Sequence, residues 1–72
     1  MKPDLRSLEI FYWVAELHSF RRAAARLNTS QPAVSQRIAA LEADCGALLL
    51  VRGAKQATLT PKGREMKDFA ER

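Results

Sequence analysis

The sequence predicts a mainly α domain in which three helices form the core, a short β-hairpin follows, and a further helix comes last. Apolar residues recur at helical spacing in three successive stretches, each preceded by a residue that can cap a helix: Asp4, Ser19 and Ser30. The polar pair Asn28 and Thr29 breaks the second stretch from the third, leaving two helices a tight turn apart. After Gly46 the pattern changes to two short strand-like runs around a polar tip that contains glycine.

The elements follow in order. Asp4 is placed to cap a helix that starts at Leu5 and runs to about His18. Leu5, Leu8, Phe11, Tyr12 and Ala15 form one apolar face of it, and Ile10, Trp13 and Leu17 form a second. A helix apolar on two sides needs two partners. Ser19 caps a short helix from Phe20 to Leu27, with Phe20, Ala23, Ala24 and Leu27 inward and Arg21, Arg22 and Arg26 wet. Ser30 caps the third helix, whose first turn holds Pro32, where a missing N–H costs nothing. Val34, Ile38, Leu41 and Cys45 form its inner face, and Gly46 suits the left-handed residue that ends it. Leu48 to Val51 and Ala57 to Leu59 are the two strands, with Arg52 to Gln56 as the tip between them. Thr60 and Pro61 start a last helix that continues from Lys62 to Arg72 with Met66, Phe69 and Ala70 on one side. Two short helices joined by a tight turn, followed by a hairpin, make a winged helix-turn-helix.

Composition narrows the function. The 72 residues make one domain at most, too small for an ordinary catalytic cleft. One cysteine, Cys45, forms no internal disulfide, and together with the single His18 it is too little for a structural zinc site. No Ser/His/Asp, Cys/His or paired-carboxylate arrangement occurs, nor a phosphate-binding glycine loop, so neither an enzyme, a cofactor nor a metal is expected. Cys45 reads as buried filler, and His18 as a cap at the C-terminal end of the first helix dipole. No apolar run is long enough to span a membrane and no signal-peptide pattern opens the chain, which makes a cytoplasmic setting the expectation.

The net charge is +4 and the isoelectric point near 9.8. Its distribution is more informative than its size. Between Glu16 and Glu42 the only charged residues are Arg21, Arg22, Arg26 and Arg37, and between Asp44 and Glu65 only Arg52, Lys55, Lys62 and Arg64. Eight of the twelve basic residues therefore lie in two acid-free windows. If both windows face one way, that side of the domain binds a polyanion.

The outer face of the third helix agrees with that reading. It carries Pro32, Ser35, Gln36, Ala39 and Ala43, where a solvated helix would carry Lys and Glu. Such a face suits the DNA major groove. Gln31, Ser35 and Gln36 offer amide and hydroxyl groups to base edges, glutamine being suited to adenine N6 and N7, and the alanines leave room for the groove walls. Thr29 and Ser30 at the helix start offer donors to a phosphate. On the wing, Arg52 and Lys55 are candidates for the minor groove or the backbone, while Arg21, Arg22 and Arg37 would position the domain on phosphates. A protein-docking module and a non-specific architectural DNA binder are the alternatives, separable by salt dependence and sequence preference.

These residues carry a family resemblance. The run SFRRAAARLNTSQPAVSQRIAALE (19–42), with Gly46, LLLVR (48–52) and LTPKG (59–63), resembles the N-terminal DNA-binding domain of the LysR-type bacterial transcription regulators. The resemblance implies a winged helix-turn-helix over residues 1–60 and the start of a dimerising linker helix over 61–72. It also implies a following effector domain that would take the small-molecule ligand and lies outside these residues. The family's base-reading positions fall on Gln31, Pro32, Ser35 and Gln36, and its wing arginine on Arg52. Two positions differ from the common pattern: Gln36 stands between Ser35 and the next arginine, Arg37, and Leu50 replaces a frequent Phe. The implied partner is double-stranded DNA with an interrupted inverted repeat, bound by a homodimer that assembles further in the full-length protein. In that setting Ile10, Trp13 and Leu17, taken as the face the core does not need, would pack on Met66, Phe69 and Ala70 of the linker helix, from the same or the partner subunit.

Overall fold

The computed structural model describes residues 5–53 and 55–71. The chain folds as α1 (Leu5–Leu17), α2 (Phe20–Arg26), α3 (Gln31–Cys45), β1 (Leu50–Arg52), β2 (Ala57–Leu59) and α4 (Pro61–Ala70). Caps set the boundaries. Ser19 Oγ accepts the Arg22 N–H at 3.0 Å, Ser30 Oγ accepts the Ala33 N–H at 3.2 Å, and Thr60 Oγ1 accepts the Gly63 N–H at 2.9 Å. Gly46, at φ 68°, ends α3 in the left-handed conformation, and His18 and Asn28 hold similar angles of 58° and 57° after α1 and α2. The cap expected at Asp4 lies outside the described residues.

The core is one cluster in which Phe11 and Val14 of α1 meet Phe20 and Ala23 of α2, Val34, Ile38 and Leu41 of α3, and Leu49, Leu50 and Ala57 from the hairpin. The two faces expected of α1 fail at two residues, Ile10 and Leu5. Ile10, assigned above to a face the core does not need, is only 3% exposed and belongs to the core, whereas Leu5 is 84% exposed. The buried residues of α1 are Ser7, Leu8, Ile10, Phe11, Val14 and Ala15, so Leu8, Phe11 and Ala15 of the first expected face share the core with Ile10 of the second. Cys45 packs half-buried against the cluster.

The hairpin pairs Leu50 with Leu59, Val51 with Thr58 and Arg52 with Ala57. Its first strand starts two residues later than the apolar run suggests, and it includes Arg52, which was expected in the tip. The reason is that Leu48 and Leu49 are bound elsewhere. Glu42 Oε2 accepts the N–H groups of Leu49 at 2.8 Å and Leu50 at 3.2 Å, while the Leu48 and Leu49 carbonyls accept the Thr60 hydroxyl (2.7 Å) and the Thr60 N–H (3.1 Å). The wing is thereby rooted between α3 and α4. Gly63 permits this approach, because a Cβ there would collide with the Leu49 carbonyl oxygen.

Candidate nucleic-acid interface

Helix α3 turns Val34, Ile38 and Leu41 into the core and leaves Gln31, Pro32, Gln36, Ala39 and Ala43 exposed, with Ser35 half-buried. Its outer face is therefore accessible along its length, as its 3.6-residue period requires, and its residue types leave it nearly free of charge. At its N-terminal end the face borders a cleft of about 340 Å³ between α2, α3 and the wing. Arg21 of α2, Gln31 of α3, and Arg52 and Lys55 of the hairpin all line that cleft, together with His18 and Gln56. Both acid-free windows contribute to it. Arg22 and Arg37 are exposed but do not line this cleft. The Thr29 N–H is spent on the Ala24 carbonyl at 2.9 Å, which leaves its hydroxyl as the group it could offer a phosphate. Ser30 Oγ uses one lone pair on the Ala33 N–H and keeps its O–H as a donor.

Arg52 does not extend from the wing as the sequence suggests. Its guanidinium lies 3.8 Å from the centre of the Phe20 ring and donates to Ser35 Oγ at 2.7 Å. A planar cation stacked on an aromatic face and bonded along its edge is held at two points. Arg52 of the wing and Ser35 of α3 are thus one unit. Arg26, by contrast, stacks on Trp13 at 4.3 Å, on the α1 side of α2.

Three residues without an assigned role at this site position it. Phe20, legible only as a core residue, is the platform for Arg52. Glu42 holds the wing root, and no local signal separates it from any other helical Glu. His18, expected to cap the α1 dipole, instead faces the wing: its Nδ1 lies 3.2 Å from the Ala57 carbonyl oxygen. Because a carbonyl only accepts, this contact requires the proton on Nδ1. Among the described residues no group of three His, Cys, Asp or Glu side chains could hold a metal ion, and no helix is long and apolar enough to cross a membrane.

Residues 5–64 match the family model of the bacterial regulatory helix-turn-helix proteins of the lysR family. The chain belongs to the LysR family. Among its curated relatives, the transcriptional regulator YnfL of Escherichia coli is 51% identical over 65 residues, covering 90% of this chain and 22% of the relative. The SDS degradation transcriptional activation protein of a Pseudomonas species is 48% identical over 69 residues, covering 96% of this chain and again 22% of the relative. The chain thus spans about a fifth of these regulators' length. Among solved structures, the DNA-binding domain of CbnR in complex with DNA superposes with a TM-score of 0.91 at 38% identity, covering 94% of this chain and 78% of that one. The BenM DNA-binding domain in complex with its catB site 1 DNA gives the same score and identity, covering 94% and 76%. The winged helix-turn-helix expected of a LysR-family domain is the fold observed.

A second surface of this LysR-family domain lies between α1 and α4. Leu5, Leu8, Glu9 and Tyr12 face Phe69, Ala70 and Glu71 across an open groove of about 580 Å³. This differs from the pairing expected for a dimer face. Ile10 is in the core, Trp13 is half-buried under Arg26, Leu17 is half-buried, and Met66 packs against the core of its own chain. Phe69, 58% exposed, and Ala70 instead meet the Leu5, Leu8 and Tyr12 side of α1. Lys67 borders the same region: its hydrogen bond to Glu71 at 3.1 Å, with Glu16 also 4.0 Å away, outweighs its slight desolvation and holds its ammonium above the usual lysine pKa.

Proposed function

We propose that this chain is the DNA-binding domain of a bacterial LysR-type transcription regulator and binds double-stranded DNA sequence-specifically. Helix α3 lies in the major groove with Gln31, Pro32, Ser35 and Gln36 toward the bases, and the wing, with Lys55 near its tip, meets the minor groove or the adjacent backbone. Arg21, Arg22, Arg37 and the helix start at Thr29 and Ser30 anchor the domain on phosphates. The observation that carries this reading is the cleft where Arg21, Gln31, Arg52 and Lys55 converge from three elements beside the uncharged outer face of α3. The likeness to two domains solved in complex with DNA supports it.

The working form in this reading is a cytoplasmic homodimer on an interrupted inverted repeat, joined through α4, with residues 61–72 as the start of the linker helix. Exposed Leu5 and Phe69 beside the α1–α4 groove supply the apolar surface such a dimer would cover. A small-molecule effector and higher assembly belong to the rest of the regulator.

Selection of bound duplexes from a random pool, at two salt concentrations and with Gln36→Ala in parallel, tests the proposal. The expected result is an enriched inverted repeat that loses definition at particular positions in the variant. Salt-sensitive binding without enrichment would leave an architectural DNA binder, and the absence of salt-sensitive binding would leave a protein-docking module.

A further inference from the structure

The hydrogen bond from Arg52 to Ser35 constrains what α3 can read. A guanidinium has five donors and no acceptor, so Ser35 Oγ is the acceptor in this 2.7 Å contact. One lone pair of the hydroxyl is therefore occupied by a cation. The Ser35 O–H stays available as a donor, and the adjacent positive charge polarises it further. That charge also repels the partly positive amino hydrogens of cytosine N4 or adenine N6 and attracts the partly negative acceptors of purine N7, guanine O6 or thymine O4. Both effects favour the same partner. Stacking on Phe20, which is buried, keeps the guanidinium from swinging away without losing the ring contact.

We propose that Arg52 is a positioning residue for base readout: by occupying an acceptor site of Ser35 it makes Ser35 a hydrogen-bond donor, so that α3 selects an acceptor edge at the base facing Ser35. This rests on the DNA-binding reading above, and it gives the wing arginine a specificity role in the major groove through another residue. Gln36, one residue on and exposed, makes no such contact among the described residues and keeps both donor and acceptor character.

The test is the base preference at each position of the selected site, measured as relative affinity for the four base pairs, for the chain as it stands and for Ser35→Ala, Arg52→Ala, Arg52→Lys and the Ser35→Ala/Arg52→Ala double variant. Ser35→Ala identifies the position that Ser35 reads. There the unaltered chain should disfavour cytosine by about five- to tenfold, the scale of one well-placed hydrogen bond. Arg52→Lys, which keeps the charge but not the planar fork stacked on Phe20, should lower that discrimination to about two- to fourfold while leaving the other positions unchanged. Arg52→Ala, which removes both the charge and the hydrogen bond, should bring it to within about twofold, and the double variant should lose nothing more at that position. Thermal unfolding of each variant confirms an intact fold, which a surface change at Arg52 should preserve. Full discrimination at the Ser35 position in both Arg52 variants overturns the proposal, as does a uniform loss of affinity with the base profile intact, which would make Arg52 a backbone or minor-groove contact alone. If the unaltered chain enriches no sequence, the DNA reading itself has failed, a result distinct from either of these.

Discussion

His18 and Ala57 are joined twice: the Ala57 N–H donates to the His18 carbonyl at 2.8 Å, and the His18 ring meets the Ala57 carbonyl at 3.2 Å. This pair ties the end of α1 to the second strand of the wing, and it forms only because His18 holds a left-handed backbone angle of 58°. A β-branched residue tolerates that angle poorly. His18→Val should therefore lower stability by about 1–2 kcal/mol, whereas His18→Gly should lose less, because it keeps the backbone bond and gives up only the ring contact. Urea unfolding of the two variants distinguishes them, and equal losses would refute the backbone explanation.

Glu42 supports the other side of the wing. Its carboxylate accepts two N–H groups, one of them from fully buried Leu49. Glu42→Ala leaves these donors without that partner and should destabilise the domain by about 1–3 kcal/mol. Glu42→Gln keeps an acceptor oxygen and should recover part of the loss. Hydrogen exchange at the Leu49 and Leu50 amides should quicken in Glu42→Ala before exchange in the core of α3 does.

Lys55 lines the cleft from near the wing tip and makes no ion pair among the described residues. If it neutralises one phosphate, Lys55→Ala should weaken binding similarly for all sequences and reduce the slope of log affinity against log salt by about 0.9. Titrations at three salt concentrations measure the slope, and an unchanged value would remove Lys55 from the interface.

Phe69 and Ile10 separate the proposed dimer face from the core. Phe69 is exposed beside the α1–α4 groove, so Phe69→Asp should raise the dimer dissociation constant about tenfold or more, at least 1.4 kcal/mol of interface energy, with little change in thermal stability. Ile10→Asp would bury an unpaired carboxylate in the core and should unfold the domain instead. Sedimentation equilibrium paired with thermal melts reads both outcomes. An unchanged dimer constant in Phe69→Asp would move the interface elsewhere.

What depends on neighbours a few residues apart was legible in the order of the residues. Ser19, Ser30 and Thr60 cap their helices through N–H groups three residues on, and Gly46 stops α3 by its own backbone freedom. The division of α3 into an apolar inner face and an uncharged outer one follows from its period, and the two basic windows could be read directly from the order of charges. What depends on residues far apart in the chain was set by packing. On α1 both Ile10 and Leu5 are apolar, and only packing against α2 and α3 buries one and leaves the other in water. The wing strand starts at Leu50 because Glu42 and Thr60 claim the backbone groups before it. Arg52 meets Ser35 across 17 positions of sequence because the hairpin folds back over the start of α3, a closure that no local propensity encodes.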